Sequence, residues 1–496
     1  MKLTLVGHDY KYAIEQIMLA LFPQELPDYS SDPSSRSDDL IARSYVRFGV
    51  KYAQATTSIR SGDKVFYGYA RVGRRLLTDK LVSDRLLQRI VKQSFFRAAK
   101  GFVYPPPVWG SLTGIRPAKL AAPLLESGFS EKSAAGVLQK KYYVSPERAS
   151  ACIKAALSAL DLKRKLSAND IALYVGVPFC PSRCAYCSFI SNSAEKSFGL
   201  IDPFVQALLS EIHSVASLAN ELGLRVVTIY IGGGTPTALP DDTLDCVLGA
   251  LNASFDMSHL REFTVEAGRP DTLTKQNLDI MVKHGAGRIC VNPQSMSDDV
   301  LASIGRRHTS TDVMNSVNLI RQSGAALTLN MDIIAGLPGD TADGFMSTLD
   351  AVLDFEPENV TVHTLSLKKG SKIMLEGTAV PTGGEVAAML GYAAARLQDR
   401  GYAPYYLYRQ KFTSGGFENT GWSQPGKEGI YNICMMEELC TVLSLGGGGV
   451  TKIISPDGRI RRVFNAKYPR EYILMPEKVI NKLVIIKEAL VQYQMK

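Results

Sequence analysis

The sequence predicts a mixed α/β protein: an open, partial (β/α)6 barrel with an N-terminal α+β domain and a C-terminal α+β extension. Three observations predict it. Between residues 171 and 366, six apolar runs that read as strands alternate with helical stretches across short loops, a pattern that implies a parallel sheet. Six units are too few to close the eight-unit barrel. On either side the regular alternation stops, and after Thr378 the composition turns tyrosine- and glycine-rich. The expected domains are therefore 1–165, 166–377 and 378–496.

Composition sets the outer limits. With 46% hydrophobic and 21% charged residues, 496 residues have ample material for a core. No apolar run reaches the roughly 18 residues of a membrane span. The opening MKLTLVGHDYKYAIEQ is polar where a secretion signal needs an apolar centre. A cytoplasmic protein with reduced cysteines is expected. The net charge of +8 is mild for this length. No dense basic run carries interleaved aromatics, so no nucleic-acid partner is expected.

In the N-terminal region, Leu3 to Val6 reads as a strand and Tyr12 to Leu21 as a helix ending near Pro23. Asp28 to Asp39 is rich in Ser, Asp and Pro and reads as a loop or a small disordered insert. Val46 to Tyr52 and Lys64 to Tyr69 alternate as strands do. Helical periodicity marks Leu81–Ala99, Ala118–Leu125, Glu131–Leu138 and Pro146–Lys165. The Pro/Gly segment from Pro105 to Pro117, which holds Trp109, reads as a packed linker.

The six central strands are expected at Ile171–Phe179, Arg225–Gly232, Glu262–Ala267, Gly287–Asn292, Ala326–Ile334 and Asn359–Leu365. The helices between them are expected at Phe204–Leu222, Asp241–Leu251, Thr274–Lys283, Ser310–Ser323 and Asp343–Phe355. In parallel α/β sheets, functional groups gather at the C-terminal ends of the strands.

The first of these strands runs into Cys180-Pro-Ser-Arg-Cys184-Ala-Tyr-Cys187. Eight cysteines are spread over 496 residues, yet three fall within this loop. A zinc loop would want a fourth Cys or His at finger-like spacing, and the next candidate, His213, lies in a helical pattern. Three thiolates hold three irons of a [4Fe-4S] cluster and leave the fourth open to a chelating ligand. Cys152, Cys246, Cys290, Cys434 and Cys440 are isolated in mostly apolar stretches and read as small core residues.

The later strand ends carry chemistry as well. Ile231-Gly-Gly-Gly-Thr-Pro-Thr237 lets a ligand approach the backbone closely. Glu266, Gln294 and Asp332 end apolar strands, where an unpartnered polar group is costly and a ligand's polar groups would relieve it. Arg306 and Arg307 follow, and the planar guanidinium suits a carboxylate. His308 reads as a surface or capping histidine. The tyrosines of Tyr402 to Tyr408 fit strand packing or stacking on a flat ligand equally.

The C-x3-C-x2-C loop, with Tyr186 before its last cysteine, resembles that of the radical S-adenosylmethionine (SAM) superfamily. The longer string YVGVPFCPSRCAYCSF resembles its oxygen-independent coproporphyrinogen III oxidase branch, and WGSLTGIRP is similar to a stretch of the HemZ-type coproporphyrinogen dehydrogenases. The resemblance implies that Cys180, Cys184 and Cys187 hold the cluster and that SAM chelates its open iron. An electron from the reduced cluster then cleaves SAM to methionine and a 5'-deoxyadenosyl radical. The implied SAM contacts are Gly233, Gly234 and Thr235 at the amino group and Arg306 at the carboxylate. Glu266, Gln294 and Asp332 are implied at the ribose, adenine and methionyl portion, with Tyr174 and Tyr186 completing the set. Tyr174 joins the three cysteines as the implied catalytic group. The C-terminal part is implied to help cover the open side of the barrel.

The reaction implied is conversion of coproporphyrinogen III to protoporphyrinogen IX in porphyrin biosynthesis. A propionate arm loses a β-hydrogen and CO2, an electron passes to an acceptor, and a vinyl group remains, on two arms in turn. The implied partners are a tetrapyrrole with carboxylate arms, an electron donor and an electron acceptor. Arg183, Arg269, Arg307, Lys368 and Lys369 are candidate cations for those arms. The chain departs from the best-known members at two places. Val175 and Gly176 follow Tyr174 where those members place a histidine two residues on, and Phe189 stands where they carry a further cysteine. Related proteins that deliver haem also lack that cysteine. A haem chaperone, and a radical enzyme acting on haem itself, therefore stand beside the decarboxylase.

Overall fold

The structure, a computed structural model, describes residues 1–29, 39–187, 192–193, 195–367, 371–410 and 413–494. Where the sequence suggests divisions near 165 and 377, these residues form two compact units. One comprises 1–117 with 123–153, and the other 118–122 with 154–496.

The first unit is built on a four-stranded sheet of β1 (Lys2–Val6), β2 (Ile41–Phe48), β3 (Tyr52–Ser61) and β4 (Lys64–Gly73), in that order. β1 runs parallel to β2, and the other pairs are antiparallel. The helices Lys11–Leu21 and Lys80–Ala99 pack Ile14, Ile17, Phe95 and Phe96 into a core with Ile59 and Val72 of the sheet. Asp79 caps the second helix by accepting from the Val82 amide at 2.9 Å. The strand expected over Val46–Tyr52 is broken by a turn: Val46–Phe48 end β2, Gly49–Lys51 connect, and Tyr52 opens β3. β3 went unread because its inward residues Ala53, Ala55 and Thr57 are small, which flattens the hydrophobic alternation. Trp109 is buried, as expected of a packed segment.

The second unit holds β5 (Asp170–Val177), the two-residue strands β6 (Phe179–Cys180) and β7 (Asn192–Ser193), and then β8 (Arg225–Gly233) and β9 (Glu262–Glu266). β10 (Arg288–Cys290), β11 (Thr328–Ala335) and β12 (Asn359–Thr364) follow, with β13 (Ala403–Arg409) and β14 (Glu418–Ser423) after them. β15 (Thr441–Gly446), β16 (Val450–Ile454) and β17 (Ile460–Phe464) come last. Eleven of these form one open sheet in the order β13-β14-β12-β11-β10-β9-β8-β5-β15-β16-β17. All six expected strands are present and mutually parallel, as the partial barrel requires. A seventh parallel strand, β15, is added beside β5. The residues after Thr378 thus extend both edges of the sheet: β14 and β13 antiparallel beyond β12, and β16 and β17 beyond β15. The tyrosines of β13 resolve toward packing, since Tyr405 and Tyr406 are buried in the core.

Two sequence expectations fail on burial. Cys246 is exposed, because the helix Asp241–Ser254 turns Leu244, Val247, Leu248 and Leu251 inward and leaves it on the other side. His308 is buried rather than superficial, packed 3.7 Å from Asp271. Among the described residues, no helix is long and apolar enough to cross a membrane.

The helix Pro476–Gln494 is tied to this unit by a buried charge pair. Lys482 and Glu211 meet out of solvent, and Glu211 also accepts from the Tyr472 hydroxyl. It accepts further from the Gly446 amide at 2.7 Å and from Asn465 at 3.0 Å. Lys482 donates to the Ser444 carbonyl at 2.8 Å and to Asn465 at 3.0 Å. Every lone pair has a donor, which is what makes a buried pair tolerable. Replacing Lys482 by Met leaves the carboxylate buried and unpaired. Urea unfolding should show a loss of about 3–5 kcal/mol, and the double variant Glu211→Gln/Lys482→Met should recover part of it.

Candidate functional site

The loop after β5 has little secondary structure of its own and is held by its neighbours. Val177 and Phe179 present carbonyls that accept from the Gly234 and Thr235 amides, both at 2.7 Å. The backbones come this close because Gly234 lacks a side chain: a Cβ there would run into the Phe179 and Val177 carbonyls. Thr235 Oγ1 also lies 3.6 Å from Cys180 Sγ as a donor. The Ala185 amide donates to the Ile304 carbonyl at 2.9 Å, and the Cys187 amide to the Cys184 carbonyl at 3.1 Å. Tyr186 packs against Val300, Leu301 and Ile304.

Two arginines complete the cradle. Arg306 donates to the Gly268 carbonyl at 2.9 Å, the Asn292 carbonyl at 3.2 Å and the Tyr186 hydroxyl at 2.8 Å. Arg269, expected to face substrate, is only 3% exposed and is committed elsewhere. It pairs with Asp271 at 3.0 Å, donates to Ser182 Oγ at 3.1 Å and lies 3.7 Å from Cys184 Sγ. Its role as a loop anchor was readable only in the Arg269-Pro-Asp271 spacing, which places its carboxylate two residues away. Arg269 thus sets a cation against the Cys184 sulfur.

None of the three cysteines is in a disulfide. Among the described residues, no three His, Cys, Asp or Glu side chains converge on a single metal-sized point. A cubane cluster asks for something different, because each thiolate binds its own iron corner. Of the candidate substrate cations, Arg183 and Arg307 are exposed. Lys368, Lys369 and the Phe189 position lie outside the described residues.

The other expected residues are set on the parallel strands or just after them. Tyr174 of β5, Tyr230 of β8 and Tyr431 form a stack, with ring centroids 6.3 Å apart for the first two and 4.5 Å for Tyr230 and Tyr431. Tyr431 is placed by Glu262 of β9, which accepts from the Ile430 and Tyr431 amides at 2.8 Å and so caps their helix. Tyr230 donates to Glu266. Asp332 lies within β11 rather than at its end, where it accepts from Asn330 at 2.9 Å and faces His363 at 3.5 Å. Burial opposes its charge, but His363 and Asn330 hold its carboxyl below the usual range. Tyr230 and His363 were not among the residues singled out from the sequence.

Gln294 has a left-handed backbone, φ +70°, which is costly for a residue with a Cβ. The conformation is locked by its amide donating to Asp332 at 2.9 Å and its carbonyl accepting from Ile334 at 3.0 Å. Its Oε1, Asn292 Oδ1 and Arg306 Nε are buried without a hydrogen-bond partner, a cost that a bound polar ligand would remove. Burial pushes the Glu266 carboxyl up to about 7, with the nearby Asp332 adding to the rise and the Tyr230 hydroxyl and His363 opposing it.

An open parallel sheet with a three-cysteine loop after its first strand, glycines at the next strand end and unsatisfied polar groups beyond defines a radical SAM protein. The radical SAM superfamily model matches residues 174–352. The oxygen-independent coproporphyrinogen-III oxidase-like protein HemZ of Bacillus subtilis is 40% identical over 73% of this chain and 74% of its own. The haem chaperone HemW of Escherichia coli is 26% identical over 61% of this chain and 75% of its own. The fold matches that of coproporphyrinogen III oxidase HemN of Escherichia coli with a TM-score of 0.51 at 19% identity, covering 65% of this chain and 72% of that one. The chain belongs to the HemZ family of oxygen-independent coproporphyrinogen-III oxidase-like proteins. Its cofactors are those of the superfamily, a [4Fe-4S] cluster and SAM, and the donor set, the glycine cradle and the orphaned polar atoms fit both.

Two measurements probe this site. Gly234→Ala should separate the ends of β5 and β8, costing about 1–3 kcal/mol in unfolding and lowering the iron retained after reconstitution, read by colorimetric iron analysis. Glu266 has a second signature. With a carboxyl at about 7 in the fold against its usual 4.5, the folded state keeps a proton that the unfolded chain has released. Stability of the cofactor-free protein should therefore fall by about 3 kcal/mol as pH rises from 4.5 to 7, and level off above. Urea unfolding across that range should show the fall, and Glu266→Gln should flatten it.

Proposed function

We propose that this protein is a cytoplasmic radical SAM oxidoreductase that converts coproporphyrinogen III to protoporphyrinogen IX in porphyrin and haem biosynthesis. The observation that carries the reading is its 40% identity, over 73% of the chain, to a protein named as coproporphyrinogen-III oxidase-like. When bound, the cluster and SAM together supply one-electron chemistry that begins with abstraction of a hydrogen.

The residues divide the remaining work. Cys180, Cys184 and Cys187 hold the cluster. Gly233, Gly234 and Thr235 leave backbone room for the amino group of SAM, and Arg306, with an unused buried Nε, receives its carboxylate. Glu266 and Asp332 accept from the ribose hydroxyls, and the orphaned Gln294 Oε1 meets the adenine amino group. Tyr174 and Tyr186 wall the site, excluding water so that one substrate hydrogen is held against the reacting centre. Arg183 and Arg307, both exposed, are suited to meet substrate carboxylates. The balance per arm is a propionate giving a vinyl group and CO2, with one hydrogen atom removed and one electron passed to an acceptor.

A second reading, haem binding and delivery, is favoured by the relatives named haem chaperone, at 26% identity in Escherichia coli and 29% in Bacillus subtilis. One experiment separates the two: anaerobic turnover of the reconstituted protein with SAM, a reductant and coproporphyrinogen III, followed by mass spectrometry. The enzyme reading expects loss of two CO2 and formation of 5'-deoxyadenosine, both absent in the Cys180→Ala/Cys184→Ala/Cys187→Ala variant. Formation of 5'-deoxyadenosine with coproporphyrinogen intact would sink the substrate assignment. Neither product, together with tight stoichiometric haem binding, would establish the chaperone.

A further inference from the structure

We propose that the open face of the N-terminal sheet binds single-stranded nucleic acid. The inference does not rest on the radical SAM reading, and its test requires neither cluster nor SAM.

One face of β1–β4 packs on helices through Ala42, Ala55, Ile59 and Val72. The other face is uncovered. Tyr67 and Tyr69 are 72% and 62% exposed, and Arg43, Arg47 and Arg71 are exposed beside them. Register places these groups in transverse rows: Tyr45 opposite Thr56 opposite Tyr69, and Arg47 opposite Gln54 opposite Arg71. The next row sets Arg43 opposite Ser58 opposite Tyr67. Aromatic rings, guanidinium groups and short polar groups thus share one surface. The four strands contain no Asp or Glu at any position. Among the described residues, Arg43, Arg47 and Arg71 meet no carboxylate; Arg47 lies over the Tyr45 ring at 5.9 Å and Arg71 over Tyr52 at 4.8 Å.

The composition of the face selects its partner. A surface of arginines without a carboxylate calls for a polyanion. An anionic membrane would be met by basic groups with an apolar wedge, whereas this face offers rings set among hydrogen-bonding groups. Exposed aromatics on a sheet beside arginines form a platform on which unpaired bases stack while their phosphates meet the cations. A duplex hides its bases and cannot use the rings. The linear sequence concealed the surface because strand alternation separates its residues by two positions.

Fluorescence anisotropy of the full-length protein with labelled oligo(U) and oligo(dT) tests the proposal. Binding is expected with a Kd of about 10⁻⁶–10⁻⁴ M near 0.15 M salt, and a log–log salt slope of about −2 for three arginine contacts. Tyr67→Ala/Tyr69→Ala should weaken it about tenfold or more, and Arg47→Glu/Arg71→Glu should abolish it, with far-UV circular dichroism unchanged for both. Preference between the two oligomers identifies RNA or DNA as the ligand. The proposal fails if no binding is seen up to about 10⁻⁴ M. It fails equally if the tyrosine variant binds as the parent does, or if an RNA duplex or phosphatidylserine vesicles compete as well as unlabelled oligo(U).

Discussion

The close approach of two strand ends, β5 and β8, is the constraint on which the candidate site depends. The cysteine loop leaves β5 without a helix or long strand to stiffen it. Its first turn is fixed by the Gly234 and Thr235 amides, which reach the Val177 and Phe179 carbonyls. That contact needs a residue without a side chain at Gly234. On the other flank of β5, Gly446 makes an equally close approach, since a Cβ there would meet the Gly176 carbonyl. The Gly446 amide is in turn held by buried Glu211, and Glu211 by Lys482. A chain of contacts thus runs from the C-terminal helix to the strand that carries the cluster loop.

The parallel core was legible because its signal is strong. Strands buried on both faces read as unbroken apolar runs, and each is followed by a helix with a clear inner stripe. The strand-end residues were legible for the complementary reason, that a polar side chain closing an apolar run is conspicuous. The elements that went unread carry weak local signals. β3 packs Ala and Thr inward, and β15 is six residues long and takes its place from β5, far away in sequence. No local pattern records such a pairing.

Side-chain commitments were less legible than positions. Arg269 and Arg306 both read in the sequence as arginines in the loops around the strand ends, with nothing local to tell their roles apart. In the fold Arg269 is neutralised by Asp271 and anchors the loop, while Arg306 bonds to two carbonyls and a phenol and keeps a buried Nε without a partner. Partner geometry separates a structural cation from one with binding capacity to spare. His308 shows the same limit: its burial follows from the loop path around Asp271, which periodicity does not encode.

The costs gathered in the second unit bear on whether its SAM site is working or residual. A left-handed Gln294, three buried polar atoms without partners and a carboxyl held near neutrality each lower the stability of the cofactor-free protein. Glu266 ends β9, Asn292 and Gln294 follow β10, and Arg306 follows the helix Asp298–Ser303, yet all but Asn292 are residues that the SAM reading requires. Ordinary substitutions would relieve each one: Gly at 294 removes the strain, and Gln at 266 removes the buried acid. A structural scaffold for haem delivery alone gains nothing from such costs. A site that closes around a ligand bearing an amine, hydroxyls and a carboxylate recovers them on binding, as differential stabilisation by ligand requires. The strain therefore argues for a SAM site that is occupied in function.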